Sequence, residues 1–181
     1  MVQKSITSYF KSTSSSNSNI NSNINLIFGE KKEDLIIYTD GACSNNGKST
    51  AKAGIGVYSK DKLNISERIV GKQTNQRAEL YAILRALTIV NISKYNRISI
   101  YTDSQYSIDC LTKWIKQWIK NGWKDKKNHD VKNKDIIKPI YSILTCNANI
   151  ILTHIRAHTG KTDEHSVGNS IADKLACNSL N

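Results

Sequence analysis

Hydrophobic and polar positions divide the chain into a polar front and a patterned remainder. DLIIYTDG, residues 34–41, is a short Ile-rich run closed by Asp and Gly, which predicts a strand entering a turn. GIGVYSK (54–60) and NISERIVG (64–71) are two further strand patterns, and the short links between the three predict an antiparallel meander. The period then changes. In AELYAILRALTIV, residues 78–90, Leu80, Ile83, Leu84, Leu87 and Ile89 recur mostly at helical spacing, so an amphipathic helix is expected, with Asn75 as its cap. RISIYTDS (97–104) is a fourth strand, followed by helix patterns at about 104–121 and 133–146, the strand NIILTHI (149–155), and a last helix at about 168–179. Strands alternating with helices make the later part of the sheet parallel. The expected fold is α/β: a mixed five-stranded sheet, meander first and parallel strands after, with helices on both faces.

The front of the chain lacks this patterning. Residues 11–25 hold two Ile among Ser, Thr, Asn and one Lys, and SNINSNIN (18–25) says one tetrapeptide twice. Such a segment cannot offset the entropy of ordering its backbone. Residues 1–33 are therefore expected to be a disordered tail, and residues 34–181 the folded domain.

A formal net charge of +11 makes a polyanion the expected partner, because phosphate contacts through Lys and Arg release counterions. Residues 113–138 concentrate this charge, with nine Lys against three Asp, and three Trp fall in the same window. Lys density alone would describe a solvated face. The four Cys, at 43, 110, 146 and 177, show no CxxC pairing, which suggests neither a disulfide framework nor zinc. No stretch approaches the apolar length of a membrane span, so no membrane partner is expected. Residues 1–29 are Ser-rich and free of acids, as mitochondrial presequences are, but they also lack Arg.

Two strands end in the same word, YTDG at 38–41 and YTDS at 101–104. Acids at the carboxyl ends of strands in an α/β sheet stand where such folds place their sites. If these strands are neighbours, Asp40 and Asp103 repel each other unless a cation lies between them. Glu79 interrupts an apolar helix; alone, it fits an acid interacting with the helix dipole. Asp173, inside SIADKLA, repeats that pattern in the last helix. Four such acids exceed what helix electrostatics needs, and hard oxygen ligands point to magnesium or manganese. His154 and His158 stand at HxxxH spacing, which serves a helix, yet His154 falls in a strand, so zinc is set aside. His158 lies instead in a polar, Gly-containing loop that runs on toward the helix carrying Asp173, where an imidazole suits proton transfer.

The segments YTDGACSNNG, GKQTNQRAEL, YTDSQYSI, WIKQWIKNGWK, HIRAHTG and GNSIADKLA resemble, in order, those of the cellular ribonucleases H of type 1. The likeness runs from about Leu35 to Ala176. It implies that Asp40, Glu79, Asp103 and Asp173 hold two magnesium ions and that His158 is the catalytic-loop histidine. The implied reaction is hydrolysis of the RNA strand of an RNA–DNA hybrid, leaving 5′-phosphate and 3′-hydroxyl ends. Asn46, Asn75 and Gln76 match residues that read the RNA minor groove and its 2′-hydroxyls. Trp114 and Trp118 match the aromatic channel for the DNA strand, although two Trp at i, i+4 usually mark a core stripe. Lys72, Thr74 and Asn133 match a pocket for a DNA phosphate, with Lys72 where some relatives carry Arg. A monomer is expected.

Gln3, Ile6, Tyr9 and Phe10, in QKSITSYF, fit Q-x-x-I-x-x-Y-F and resemble the PIP box, which docks on the sliding clamp of replication. One helical turn would gather Ile6, Tyr9 and Phe10 into an apolar plug, and a disordered linker behind it would raise the enzyme's effective concentration at nearby DNA. This resemblance implies a nuclear or viral replication compartment, with the mitochondrion as the alternative. Two other functions fit parts of the pattern: a hybrid-binding adaptor without turnover, and another nuclease of the same fold, such as a resolvase or integrase. The complete set of four acids argues against the first. GKQTNQRAE and the Trp-bearing basic helix argue against the second.

Overall fold

The computed structural model describes residues 32–157 and 160–181. Gln3, Ile6, Tyr9, Phe10 and His158 lie outside the described residues. Five strands form one sheet: β1 (Glu33–Ser44), β2 (Lys52–Ser59), β3 (Leu63–Arg68), β4 (Tyr95–Thr102) and β5 (Ile150–His154). Their spatial order is β3-β2-β1-β4-β5; β1 and β3 run antiparallel to β2, whereas β4 is parallel to both β1 and β5. This is the mixed sheet expected from the sequence.

Strand pattern and position agree. Central β1 is buried almost without interruption from Leu35 to Gly41, as a strand covered on both faces must be. Edge strand β3 alternates between half-buried and exposed positions. Successive β1 side chains point to opposite faces. On one face lie Leu35, Ile37, Ile55, Ile98 and Ile100, all buried, each contributing roughly 1.5–3 kcal/mol by its removal from water. Helix α1 (Asn75–Ile89) covers this face, with α3 (Lys134–Cys146) packed against α1. On the other face Tyr38 and Tyr101 stack at 5.5 Å beneath α4 (Glu164–Asn178).

The helices depart from the sequence reading at three places. The cap of α1 is Thr74, whose hydroxyl accepts from the Arg77 N–H, and Asn75 is the first helical residue. Helix α2, residues 105–120, contains a wide π-helical stretch, Asp109–Trp114, between α-helical Gln105–Ile108 and Ile115–Lys120. Helix α4 begins at Glu164, capped by Asp163, whose carboxylate accepts from the Ser166 N–H at 3.1 Å. The last helix thus starts four residues ahead of the expected 168, and the connection from β5 runs over residues 155–163. Gly and polar residues at 164–170 hid this start, since α4 approaches the sheet closely through Gly168 over Tyr38 and through Ala172 over Gly56 and needs little apolar surface of its own.

Candidate active site

Parallel pairing of β1 with β4 sets Thr39 opposite Thr102, and the next residue in each strand direction is an acid. Asp40 and Asp103 thus emerge side by side at the carboxyl ends of adjacent strands. Glu79 arrives from α1 because Gly41 has no side chain: a Cβ there would fall inside the backbone of Ala78 and Glu79. One oxygen from each of Asp40, Glu79 and Asp103 lies within 4.8 Å of the others. Asp40 and Glu79 are buried, each 7% exposed, and Asp103 is half-buried.

Thr74 as cap places Glu79 in the second turn of α1, whose first turn holds no acid. Dipole stabilisation falls off within one turn, so it does not account for Glu79. Asp173 sits mid-helix in α4, outside that group of three, and its carboxyl contacts Asp40 by a hydrogen bond.

Burial, then the charges of Asp103 and Asp173, push the Asp40 carboxyl up to about 7. Burial, then Asp40 and Asp103, holds Glu79 well above the usual carboxylate range. The Gly41 N–H opposes both shifts without cancelling either. A divalent cation would relieve this repulsion. Among the described residues this is the one His, Cys, Asp and Glu cluster able to hold a metal, and its ligands are all carboxylates. Glu79 Oε2 is buried with no hydrogen-bond partner, an acceptor left for a cation. The residues present fit magnesium or manganese.

A pH prediction follows from Asp40. A carboxyl raised from 3.8 to about 7 binds its proton more tightly in the folded chain, so stability falls as pH rises through that interval. The Tm of metal-free protein is expected to decline over this range and to recover on adding magnesium. Asp40→Asn should flatten the decline. A metal-free Tm that is equally flat in the parent chain would refute the crowded-carboxylate account.

Beside the acids runs a groove of about 520 Å³. Asn46, Lys72, Thr74, Gln76 and Asn133 line it, five of the residues expected to bind the two strands. Asn75 is tied to the same region: its N–H donates to Asn46 Oδ1 at 3.4 Å and its side-chain amide to Glu79 Oε1 at 3.4 Å. A second groove, about 330 Å³, is walled by Tyr106, Trp118 and Val131. Trp114 is 41% exposed and meets Trp118 edge-on at 5.7 Å, so this pair is not a buried core stripe. Tyr106 reaches Trp114 at 6.1 Å across the π-helical stretch.

Asn133 has a second reason to be Asn. It takes a left-handed conformation, φ 59°, just before α3, where Asn is tolerated better than most residues. Its amide donates to the Tyr106 hydroxyl at 3.3 Å. His154 ends β5, with its Nε2 3.1 Å from the Asp103 carbonyl oxygen, outside the carboxylate cluster.

Three residues escaped the sequence reading. Asn169 is buried and donates to Asp103 Oδ2 at 2.8 Å, which fixes that carboxylate's orientation. Gln73 accepts from the Ala53 N–H at 2.6 Å and donates to the carbonyls of Ile69 and Gly71, pinning the Lys72 loop to β2. Arg77 forms a two-pronged ion pair with Asp135 at 3.0 and 2.5 Å, joining α1 to α3 under the first groove. All three stand inside quoted segments, Asn169 in GNSIADKLA and Gln73 and Arg77 in GKQTNQRAEL, but only tertiary pairing shows their partners.

Carboxylates at the ends of adjacent parallel strands, flanked by a basic groove, define an α/β protein able to hold divalent cations beside a polyanion. Residues 32–181 match the RNase H family model. Ribonuclease H1 of Rattus norvegicus is 40% identical over 151 residues, 82% of this chain and 51% of the relative. Ribonuclease H of Orientia tsutsugamushi is 39% identical over 145 residues, covering 78% of this chain and 79% of the relative. The PFV RNase H domain, solved in solution, superposes with a TM-score of 0.64 at 25% identity, over 83% of this chain and 96% of that domain. The chain belongs to the RNase H family. It spans about half the length of the mammalian relatives it matches.

Proposed function

We propose that this chain is an endoribonuclease that hydrolyses the RNA strand of RNA–DNA hybrids, leaving 5′-phosphate and 3′-hydroxyl ends. The observation that carries this reading is the convergence of Asp40, Glu79 and Asp103, with an unpartnered buried oxygen on Glu79. Asp40, Glu79, Asp103 and Asp173 would hold two magnesium ions, with manganese able to substitute. When bound, these ions supply Lewis-acid activation of water and charge neutralisation at the leaving 3′ oxygen. Asn169 keeps the Asp103 carboxylate oriented for that duty. His158 shuttles a proton and assists product departure.

Strand choice belongs to the flanking residues. Asn46, Asn75 and Gln76 bond 2′-hydroxyls and base edges of the RNA strand, and the Asn75 contact with Glu79 links that reading to the acids. Lys72, Thr74 and Asn133 grip a phosphate of the DNA strand, while Trp114 and Trp118 face its deoxyriboses. The protein acts as a monomer.

Cleavage of labelled RNA–DNA hybrid, duplex RNA and duplex DNA, with and without magnesium, tests the proposal. Hybrid alone should be cut, and only with the metal. Equal cleavage of duplex RNA would defeat the hybrid reading.

Gln3, Ile6, Tyr9 and Phe10 dock a PCNA-like sliding clamp and bring the enzyme to primers or R-loop RNA at replicating DNA, in a nucleus or a viral replication compartment. The support for this is the full match of QKSITSYF to the four fixed positions. Replacing Tyr9 and Phe10 by Ala should abolish clamp binding in a pull-down or by calorimetry. Unaltered clamp affinity would reduce the motif to coincidence.

A further inference from the structure

The two grooves share a wall. Gln76 and Lys132 line both the groove of Lys72, Thr74 and Asn133 and the groove of Tyr106 and Trp118. Several basic side chains nearby are already engaged. Arg77 is held by Asp135, Lys113 by Asp109, and Lys124 and Lys134 both by Asp130. Among the basic side chains that line the two grooves, Lys72 and Lys132 have no ion-pair partner within the described residues, so their charges are open to a ligand there.

We propose that Lys132 is a second phosphate-binding residue, holding the DNA-strand phosphate next to the one gripped by Lys72, Thr74 and Asn133. The inference rests on the hybrid reading above. A strand with one phosphate in the first groove and a sugar against Trp118 in the second must carry its backbone over the wall between them. The second groove offers that backbone two acids, Asp125 and Asp130. Asp130 is compensated by its two lysines, and Asp125 accepts the N–H groups of Lys127 and His129 at 2.8 and 2.9 Å. Lys132 supplies the positive charge at the crossing, on a flexible stem able to follow a phosphate. Its neighbours differ in kind: Gln76 carries no charge, and Lys72 lines only the first groove.

Hybrid affinity measured over a series of salt concentrations tests this, with every protein carrying Asp103→Asn to prevent turnover. Lys132→Gln should lower the slope of log affinity against log salt by about one, Lys72→Gln by about one, and the double variant by about two. Lys60→Gln, a charge-matched control on the turn after β2 and beside a different pocket, should leave the slope unchanged. An unchanged slope for Lys132→Gln overturns the proposal. So does a double variant no different from either single, since both lysines would then serve one phosphate. A fall for Lys60→Gln as large as for Lys132→Gln overturns it as well, leaving only overall charge. Failure of the Asp103→Asn parent to bind hybrid removes the hybrid reading itself, and this inference with it.

Discussion

Asp103→Asn is expected to lower magnesium-dependent hybrid cleavage by more than about a thousandfold while leaving hybrid binding largely intact. Losing one ligand charge removes several kcal/mol of transition-state stabilisation, and about 4 kcal/mol corresponds to a thousandfold in rate. The substitution keeps the size and shape of the side chain, so the end of β4 is not disturbed. It also removes one of the charges that raise Asp40 and Glu79. Metal-free Asp103→Asn should therefore melt no lower than the parent, and slightly higher above pH 7. Single-turnover cleavage together with metal-free thermal melts checks both halves. Lost activity with a preserved or raised Tm identifies a ligand; unchanged turnover would sink the metal assignment.

Gly41→Ala should damage both the fold and the rate. The new methyl group would overlap the Ala78 carbonyl carbon and the Glu79 backbone nitrogen, and a helix backbone cannot yield as the end of a side chain can. Either α1 lifts from the sheet or β1 bends. Overpacking of this kind costs about 1–3 kcal/mol, a Tm loss on the order of 2–12 °C for a chain of this size. Lifting α1 also draws Glu79 away from Asp40 and Asp103, and misplacement by about 1 Å can cost a hundredfold in rate. Thermal melts and single-turnover rates on one preparation test the two together. Unchanged values of both would show that the close approach of α1 is unimportant.

The strands were legible because their apolar runs and turn residues are local, and YTDG with YTDS announced the acids before any pairing was known. Position within the sheet was less accessible. Nothing near Asp173 states that it contacts Asp40, since that contact depends on how α4 crosses β1 and β2. The cap of α1 was misplaced by one residue because Thr74 and Asn75 are both good cap residues and only the Thr74 hydroxyl meets the Arg77 N–H. The start of α4 was missed for a different reason. Helical periodicity is read from apolar residues, and the first turns of α4 carry Glu164, His165, Ser166 and Gly168, of which His165 packs on Tyr101 at 4.3 Å. Asn133 was legible as unusual, but its left-handed backbone is a local cause that composition does not reveal.

The close approaches between α4 and the sheet set different tolerances for length along the chain. A Cβ on Gly168 would strike the Tyr38 ring, and one on Gly56, the β2 partner of Asp40, would strike the Ala172 carbonyl. Helix and sheet are therefore engaged like teeth at two points, one at Tyr38 and one at the β2 partner of Asp40, and the register of α4 is fixed by shape. One residue inserted between 168 and 172 would turn whatever follows by about 100° and advance it about 1.5 Å, swinging Asp173 off its neighbour. A Cβ added at Gly160, between β5 and α4, would meet nothing within 4 Å, so related chains can change length at that point while the helix from 168 to 176 keeps its count.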